Sequence, residues 1–237
     1  SGRSVKSGVL TSRTRLGDFF CMTIVPPDDL RYTQRGPVEM IFVIDCSGSM
    51  EGEPLRLAKR AVVNALQQLR PTDTFQVIRF SDTSTSMSAR PIPADAYNLR
   101  LGTDHVNALA AGGGTVMLKG LESALEHRGD WSRTRFVCLL SDGLLDNEPE
   151  VLKQLDRRLG DSRIFSVGIG SAPNRALLNA MARIGRGAAA YIANDRDADQ
   201  VMGVFIDRVS SAAMADLRID WGDLDVSEVY PRRLPDL

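Results

Sequence analysis

From residue 36 to residue 210 the chain alternates short, almost wholly apolar runs with longer stretches in which apolar residues return every third or fourth position. The apolar runs predict strands at Val38 to Asp45, Phe75 to Ser81, Arg135 to Ser141, Ile164 to Gly168 and Ala188 to Ile192. Runs of this kind belong to strands covered on both faces. Between the first two, Leu55, Ala58, Ala61, Val62, Ala65 and Leu69 keep helical spacing, with Pro54 near the start and Pro71 just past the end. Further helices are predicted around Leu118, Leu121 and Leu125, around Leu152, Leu155 and Leu159, and around Leu177, Met181 and Ile184. Ala198, Val201, Met202, Phe205 and Val209 predict a last one. Strands alternating with helices imply an α/β fold, a doubly wound, mainly parallel sheet with helices on both faces. Ser86 to Ile92, with two prolines at its end, predicts a short edge strand.

The two ends of the chain are patterned differently. Phe19 to Val25, closed by Pro26-Pro27, predicts a strand leaving a preceding domain. Arg3, Lys6, Arg13 and Arg15, interleaved with Ser and Gly, read as a solvated leader or linker before it. Leu217, Ile219 and Trp221 alternate with Asp216, Arg218 and Asp220, which predicts a half-exposed strand. The expected division is therefore a strand-like flank over 1–35, one domain over 36–210 and a strand-like, truncated flank over 211–237. The flanks are expected to pair with each other or to pack on the central domain. Starting at Ser1-Gly2 without Met and stopping at Pro235-Asp236-Leu237 inside a patterned segment, the sequence reads as an excised piece of a longer chain.

Composition narrows the partners. A hydrophobic fraction of 43% and a charged fraction of 25% are those of an ordinary globular protein. A net charge of -1 gives no reason to expect nucleic acid or an anionic membrane surface. No stretch approaches the ~20 apolar residues of a membrane span, so no membrane insertion is expected of this segment. The three cysteines, Cys21, Cys46 and Cys138, make a poor disulfide framework. If Asp45 and Asp142 end neighbouring strands at one level, Cys46 and Cys138 stand more than ~13 Å apart along the strands, beyond the ~7 Å Cα limit for a bridge. Free, mostly buried thiols are expected.

The chemistry concentrates where the first central strand ends. Asp45-Cys46-Ser47-Gly48-Ser49 places a carboxylate and two hydroxyls at every second position, projecting hard oxygens to one side of the backbone. Thr115, after Gly112-Gly113-Gly114, and Asp142, after the run Phe136 to Leu140, stand at similar strand ends and complete a candidate site for a hard divalent cation. Open α/β sheets bind ligands outside the carboxyl ends of their strands, where strand order reverses. Five oxygen ligands suit Mg²⁺, Mn²⁺ or Ca²⁺ over metals that want imidazole or thiolate. Taken singly, each aspartate reads equally well as a helix cap, each serine as a turn residue and the glycine run as a flexible loop.

This pattern resembles the metal-ion-dependent adhesion site of von Willebrand factor A domains. The resemblance covers roughly Gly36 to Ser210 and implies a Rossmann-like sheet of six strands with one antiparallel edge strand. It makes Asp45, Ser47, Ser49, Thr115 and Asp142 the ligating set, the two carboxylates often acting through water. Asp142-Gly143 with Asn147-Glu148, the stretch Arg163 to Asn174 and Gly185-Arg186-Gly187 are similar to bacterial relatives of the inter-alpha-trypsin inhibitor heavy chains. Some of these are sortase targets, and in them a VIT domain precedes the A domain. Two departures leave the ligand set intact: Ser141 stands where Thr is common, and Val116 where a polar residue is frequent. The resemblance implies Mg²⁺, with Mn²⁺ or Ca²⁺ possible, an extracytoplasmic or cell-surface location, and a protein or other partner that offers an Asp- or Glu-type carboxylate to the ion. Two ligand carboxylates just neutralise a divalent cation, so a third from a partner enters without strong repulsion. The expected rim is Met50 and Glu51, Gly113 and Gly114, and Leu144 and Leu145.

Two rivals remain beside this adhesion module. One is a structural module in which an ion, or a degenerate site, only holds loops together. The other is a metal-dependent phosphoryl-transfer enzyme. It is disfavoured because Ser47 stands where a haloacid-dehalogenase-type enzyme needs a second Asp, and Gly112 to Lys119 lacks phosphate-loop spacing. His105 and His127, the two histidines, lie in helical segments with no nucleophile motif nearby. Gly168-Ile169-Gly170 lacks the third glycine of a dinucleotide fingerprint and reads as a strand end.

Overall fold

The computed structural model describes residues 6–25, 36–126, 130, 132–145, 147–211 and 219–230. They fall into two compact units, one of residues 36–209 and one that contains both flanks. His127 and Leu217, and with them part of two expectations above, lie outside the described residues.

In the flanking unit, β1 (Lys6–Thr14) and β2 (Gly17–Val25) form an antiparallel hairpin, with Thr14 opposite Gly17. From Lys6 to Thr14 the segment expected as a leader or linker is thus a strand, while Arg3 lies outside the described residues. Its Arg13 is explained by the register, which sets it directly opposite Asp18, with Nε 3.0 Å from the carboxylate. The C-terminal strand is absent from residues 219–230. Gly222, at φ 55°, and a bond from its N–H to Asp220 turn the chain just where Trp221 would continue the alternation. The Trp221 ring instead meets Phe20 edge-on, with centroids 5.3 Å apart.

The larger unit runs β3 (Val38–Asp45), a 3₁₀ turn (Gly48–Met50), α1 (Glu53–Leu66), β4 (Thr74–Phe80), β5 (Ser84–Ser86), β6 (Ile92–Pro93), α2 (Ala96–Ala108) and α3 (Met117–Glu126). It continues with β7 (Thr134–Ser141), α4 (Glu148–Arg158), β8 (Arg163–Ile169), α5 (Arg175–Ile184), β9 (Ala189–Ile192) and α6 (Asp195–Ser211). Spatial order is β5-β4-β3-β7-β8-β9, and β3, β4, β7, β8 and β9 are parallel. The chain therefore starts in the middle, moves to one side with β4 and crosses to the other with β7. Strand order reverses between β3 and β7.

The single edge strand expected over Ser86 to Ile92 is two short pieces, β5 and β6, each antiparallel to β4. Between them the Gln76 side chain replaces ladder bonds, donating to Ser88 O at 2.6 Å and accepting from Ser88 N at 3.3 Å. Helix α2 was not predicted by periodicity because its fully buried positions are only Gly102 and Val106. A Cβ on Gly102 would lie 2.7 Å from the Phe75 ring, so the closest contact leaves no apolar signal. Asp95 caps the helix by accepting from Asn98 N at 2.8 Å.

The core is built on the two faces of β3. Met40, Phe42 and Ile44 join α1 and α6 residues on one face, and Ile41 and Val43 join α3, α4 and α5 residues on the other. At the entry end of the strand, Glu39 sits opposite Arg135 of β7, and the two form a buried ion pair at 2.5 Å.

Register also separates the thiols: Cys138 is level with Phe42, whereas Cys46 follows Asp45, the last residue of β3. All three cysteines are free, and only Cys21 is exposed. Burial pushes the Cys46 thiol up to about 11 and raises Cys138 further, so neither forms thiolate near neutrality. In native, unreduced protein an aromatic disulfide reagent should therefore titrate one thiol rapidly, and all three after denaturation. A count of one after denaturation would reveal a bridge and refute this register.

Candidate metal centre

Asp45 is the last residue of β3, fully buried, and its carboxylate is held by two short bonds. Oδ1 accepts from Ser47 N at 2.9 Å, and Oδ2 accepts from Ser141 Oγ at 2.6 Å. Ser141 accepts in turn from Gly143 N at 2.9 Å, so one hydroxyl links the ends of β3 and β7. Burial dominates the Asp45 environment and raises its pKa. The bonds from Ser141 and Ser47 oppose the shift, and the nearby charge of Asp142 adds to it. Asp142 is itself nearly buried, accepts from Leu144 N at 3.0 Å through Oδ1, and holds Asn174 N through its carbonyl at 2.8 Å.

Ser47 is buried and Ser49 exposed, and their hydroxyl oxygens stand 3.1 Å apart. Adjacent oxygens on an octahedral ion with 2.0–2.1 Å bonds lie about 2.9 Å apart. The two hydroxyls, hydrogen-bonded to each other at 3.1 Å, are close enough to take neighbouring positions on one ion, and the spacing suits Mg²⁺, Mn²⁺ and Ca²⁺ alike. Among the described residues no three His, Cys, Asp or Glu side chains converge as a metal cluster, so any site here must draw on hydroxyls.

Thr115 follows a glycine turn clamped from both sides. Gly112 N donates to Cys46 O at 2.8 Å, Gly113 O accepts from Gly48 N at 3.0 Å, and Gly114 N donates to Asp82 Oδ1 at 2.9 Å. Val116 N closes the turn onto Ser81 O at 2.9 Å. Only glycine fits at 113: φ is 85°, and a Cβ there would stand 2.2 Å from Asp82 Oδ2. Thr115 is half-buried and shares an open cleft with Leu144, Leu145, Glu148 and Asn174.

The rim differs from expectation at one residue. Met50 is fully buried in the α1-side core, because the 3₁₀ turn directs it inward, and it offers nothing to a partner. Glu51, Gly113, Gly114 and Leu144 are exposed, while Leu145 is half-buried against the α3–α5 side of the core. Sequence reasoning missed Ser141, Asp82 and Asn174. Ser141 had been weighed only as a departure from Thr, although any strand-end hydroxyl level with Asp45 is a candidate donor. Asp82 and Asn174 act mainly on backbone and carry no motif signal.

These observations define an α/β domain with an oxygen-lined crevice at its switch point. A family model of the von Willebrand factor type A domain matches residues 38–191, and the chain belongs to that family. It is 26% identical over 195 residues to inter-alpha-trypsin inhibitor heavy chain H1 of Mesocricetus auratus, covering 77% of this chain and 21% of that protein. A von Willebrand factor type A structure from Catenulispora acidiphila superposes with a TM-score of 0.68 at 20% identity, covering 87% of this chain and 46% of that one. Proximal thread matrix protein 1 of the mussel byssus, solved with a zinc-occupied MIDAS motif, superposes at 0.56 with 19% identity, covering 76% and 46%. The chain spans only 9% to 22% of the length of the curated relatives it matches. No helix among the described residues is long and apolar enough to cross a membrane.

Asp45→Asn keeps the bond from Ser47 N to its Oδ1, reverses the other so that its Nδ2 donates to Ser141 Oγ, and removes the buried charge, so it should stabilise the metal-free domain by about 0.5–2 kcal/mol at pH 7. The folded pKa of Asp45 is raised, so the native state takes up its proton before the unfolded chain does as pH falls. The aspartate penalty is full above the folded pKa and gone below the ordinary value of 3.8. The variant's advantage in urea denaturation with EDTA should therefore shrink as pH falls through that window. An advantage independent of pH would refute the assignment.

Proposed function

We propose that the chain is a divalent-cation-dependent interaction module, without catalysis, in which Asp45, Ser47, Ser49, Thr115 and Asp142 hold one Mg²⁺ or Mn²⁺. Ca²⁺ is the alternative ion. The observation that carries the reading is the buried Asp45 carboxylate: no countercharge figures among the influences on it, and the second carboxylate beside it adds repulsion. A divalent ion supplies the missing positive charge and, in its open position, a Lewis-acidic seat for a partner's carboxylate. Asp45 and Asp142 balance that charge, and Ser47, Ser49 and Thr115 add neutral oxygen. Ser141 fixes Asp45, and the clamped glycine turn fixes Thr115, so both are pre-positioned.

The partner is a protein, or another ligand, presenting an Asp- or Glu-type carboxylate, met by a rim of Glu51, Gly113, Gly114 and Leu144. The zinc-occupied MIDAS motif of the byssus protein supports the reading by analogy. A purely structural ion is disfavoured because the loops are already joined by protein bonds, from Gly48 N to Gly113 O and from Gly112 N to Cys46 O. We place residues 36–210 as the module, its flanks as parts of neighbouring domains, and the full-length protein on an extracytoplasmic surface, as the similarity to bacterial heavy-chain relatives implies.

Calorimetry with Mg²⁺ or Mn²⁺ should show one ion per chain, no binding to Asp45→Ala, and affinity about tenfold or more weaker in Ser49→Ala. Equal affinity in all three proteins would end the proposal.

A further inference from the structure

The cleft beside Thr115 carries a charge that neither the fold nor the proposed ion uses. Glu148 lines it, half-buried, with Asn174 Nδ2 donating to its Oε1 at 2.7 Å. Asn174 is a fixed support, since its backbone N–H is bonded to Asp142 O and its side-chain oxygen caps α5 by accepting from Leu177 N at 3.2 Å. No Lys or Arg among the described residues forms an ion pair with Glu148. Its neighbour in the same helical turn behaves otherwise: Glu150 is engaged by Gln154 at 2.6 Å and by Lys153 at 3.9 Å. A first helical turn accounts for acidic residues in general. It does not account for one of them being steered by a second helix into a cleft that ends at Thr115.

Apolar surface lies alongside. Leu144, 53% exposed, and half-buried Leu145 line the same cleft. With Asp45 and Asp142 balancing a divalent ion, Glu148 adds an unbalanced negative charge to the wall among the described residues. The complement of ion, aliphatic patch and carboxylate is a segment carrying an acidic group, then an aliphatic stem, then a cation.

We infer that the cleft selects partners in which the metal-binding Asp or Glu has a Lys or Arg nearby in the same segment, the cation seated on Glu148 and its stem on Leu144. The inference rests on the proposed metal-dependent reading and specifies its partner. Glu148 is a specificity residue and takes no part in holding the ion.

The test uses an array of blocked heptapeptides, each with one central Asp or Glu flanked by Lys, Arg, Ser or Glu, probed with the domain in Mg²⁺ and in EDTA. The wild type should retain peptides with basic flanks about threefold or more over those with Ser, the scale of a partly exposed ion pair. Glu148→Gln should lose that preference, and Glu148→Lys should reverse it toward acidic flanks, both with Mg²⁺ affinity unchanged in calorimetry. An unaltered preference in Glu148→Lys, or none in the wild type, would overturn the inference while leaving Mg²⁺-dependent capture standing. Reduced Mg²⁺ affinity in Glu148→Gln would overturn it by making Glu148 a ligand. Equal capture in EDTA and by Asp45→Ala would instead overturn the metal-dependent reading beneath it.

Discussion

A carboxylate buried at the end of the central strand organises this domain. Asp45 has no access to water, and both its oxygens are committed to bonds from Ser47 and Ser141. Burial of a carboxylate is costly unless the protein or a ligand compensates it. The bonds from Ser47 and Ser141 therefore dictate local structure on both sides of the switch point. Ser47 must turn its N–H back toward β3, and Ser141 must end β7 level with Asp45. The reversal of strand order opens the gap in which these groups meet. Topology and the demands of one side chain thus select the same place.

The surrounding loops are joined by bonds within the protein. Asp82 takes the space that a side chain on Gly113 would need, and that exclusion gives the glycine turn its sequence. The turn is bonded to the loop after β3 on one side and to the end of β4 on the other. Thr115 is consequently positioned by backbone geometry. Loops held in this way lose little further freedom when a ligand binds, so more of the interaction energy appears as affinity.

What could be read from the sequence divides along the same physical lines. Strands buried on both faces announce themselves as unbroken apolar runs, and β3, β4, β7, β8 and β9 were legible to within a residue or two. Helices that bury an aliphatic stripe were equally legible. Helix α2 was not, because its fully buried positions are only Gly102, which meets the Phe75 ring, and Val106, too few to make a stripe. The divided edge strand depends on Gln76 bonding sideways to Ser88, and β1 on its pairing with β2; both are tertiary facts. At the site, the oxygen-bearing residues were visible as a pattern. The supports were less visible: Asp82 and Asn174 act mainly on backbone atoms, Ser141 substitutes for a commoner residue, and Met50 needed the direction of a 3₁₀ turn.

The two ends of β3 supply the strongest internal argument about the site. Glu39 and Asp45 are carboxylates on one strand, both buried, and both level with residues of β7. At the entry end the neighbouring strand supplies Arg135 at 2.5 Å, and the charge is satisfied within the fold. At the exit end the residue level with Asp45 is Ser141, a neutral donor, and the nearest charge acting on Asp45 is the like charge of Asp142. The sheet therefore accommodates a buried carboxylate with an internal cation at one end and withholds one at the other. A basic residue at 141 would have closed the electrostatic account and filled the crevice. A neutral Ser141 leaves the Asp45 carboxylate without the internal cation that Glu39 has, and on the proposed reading a bound cation would supply it.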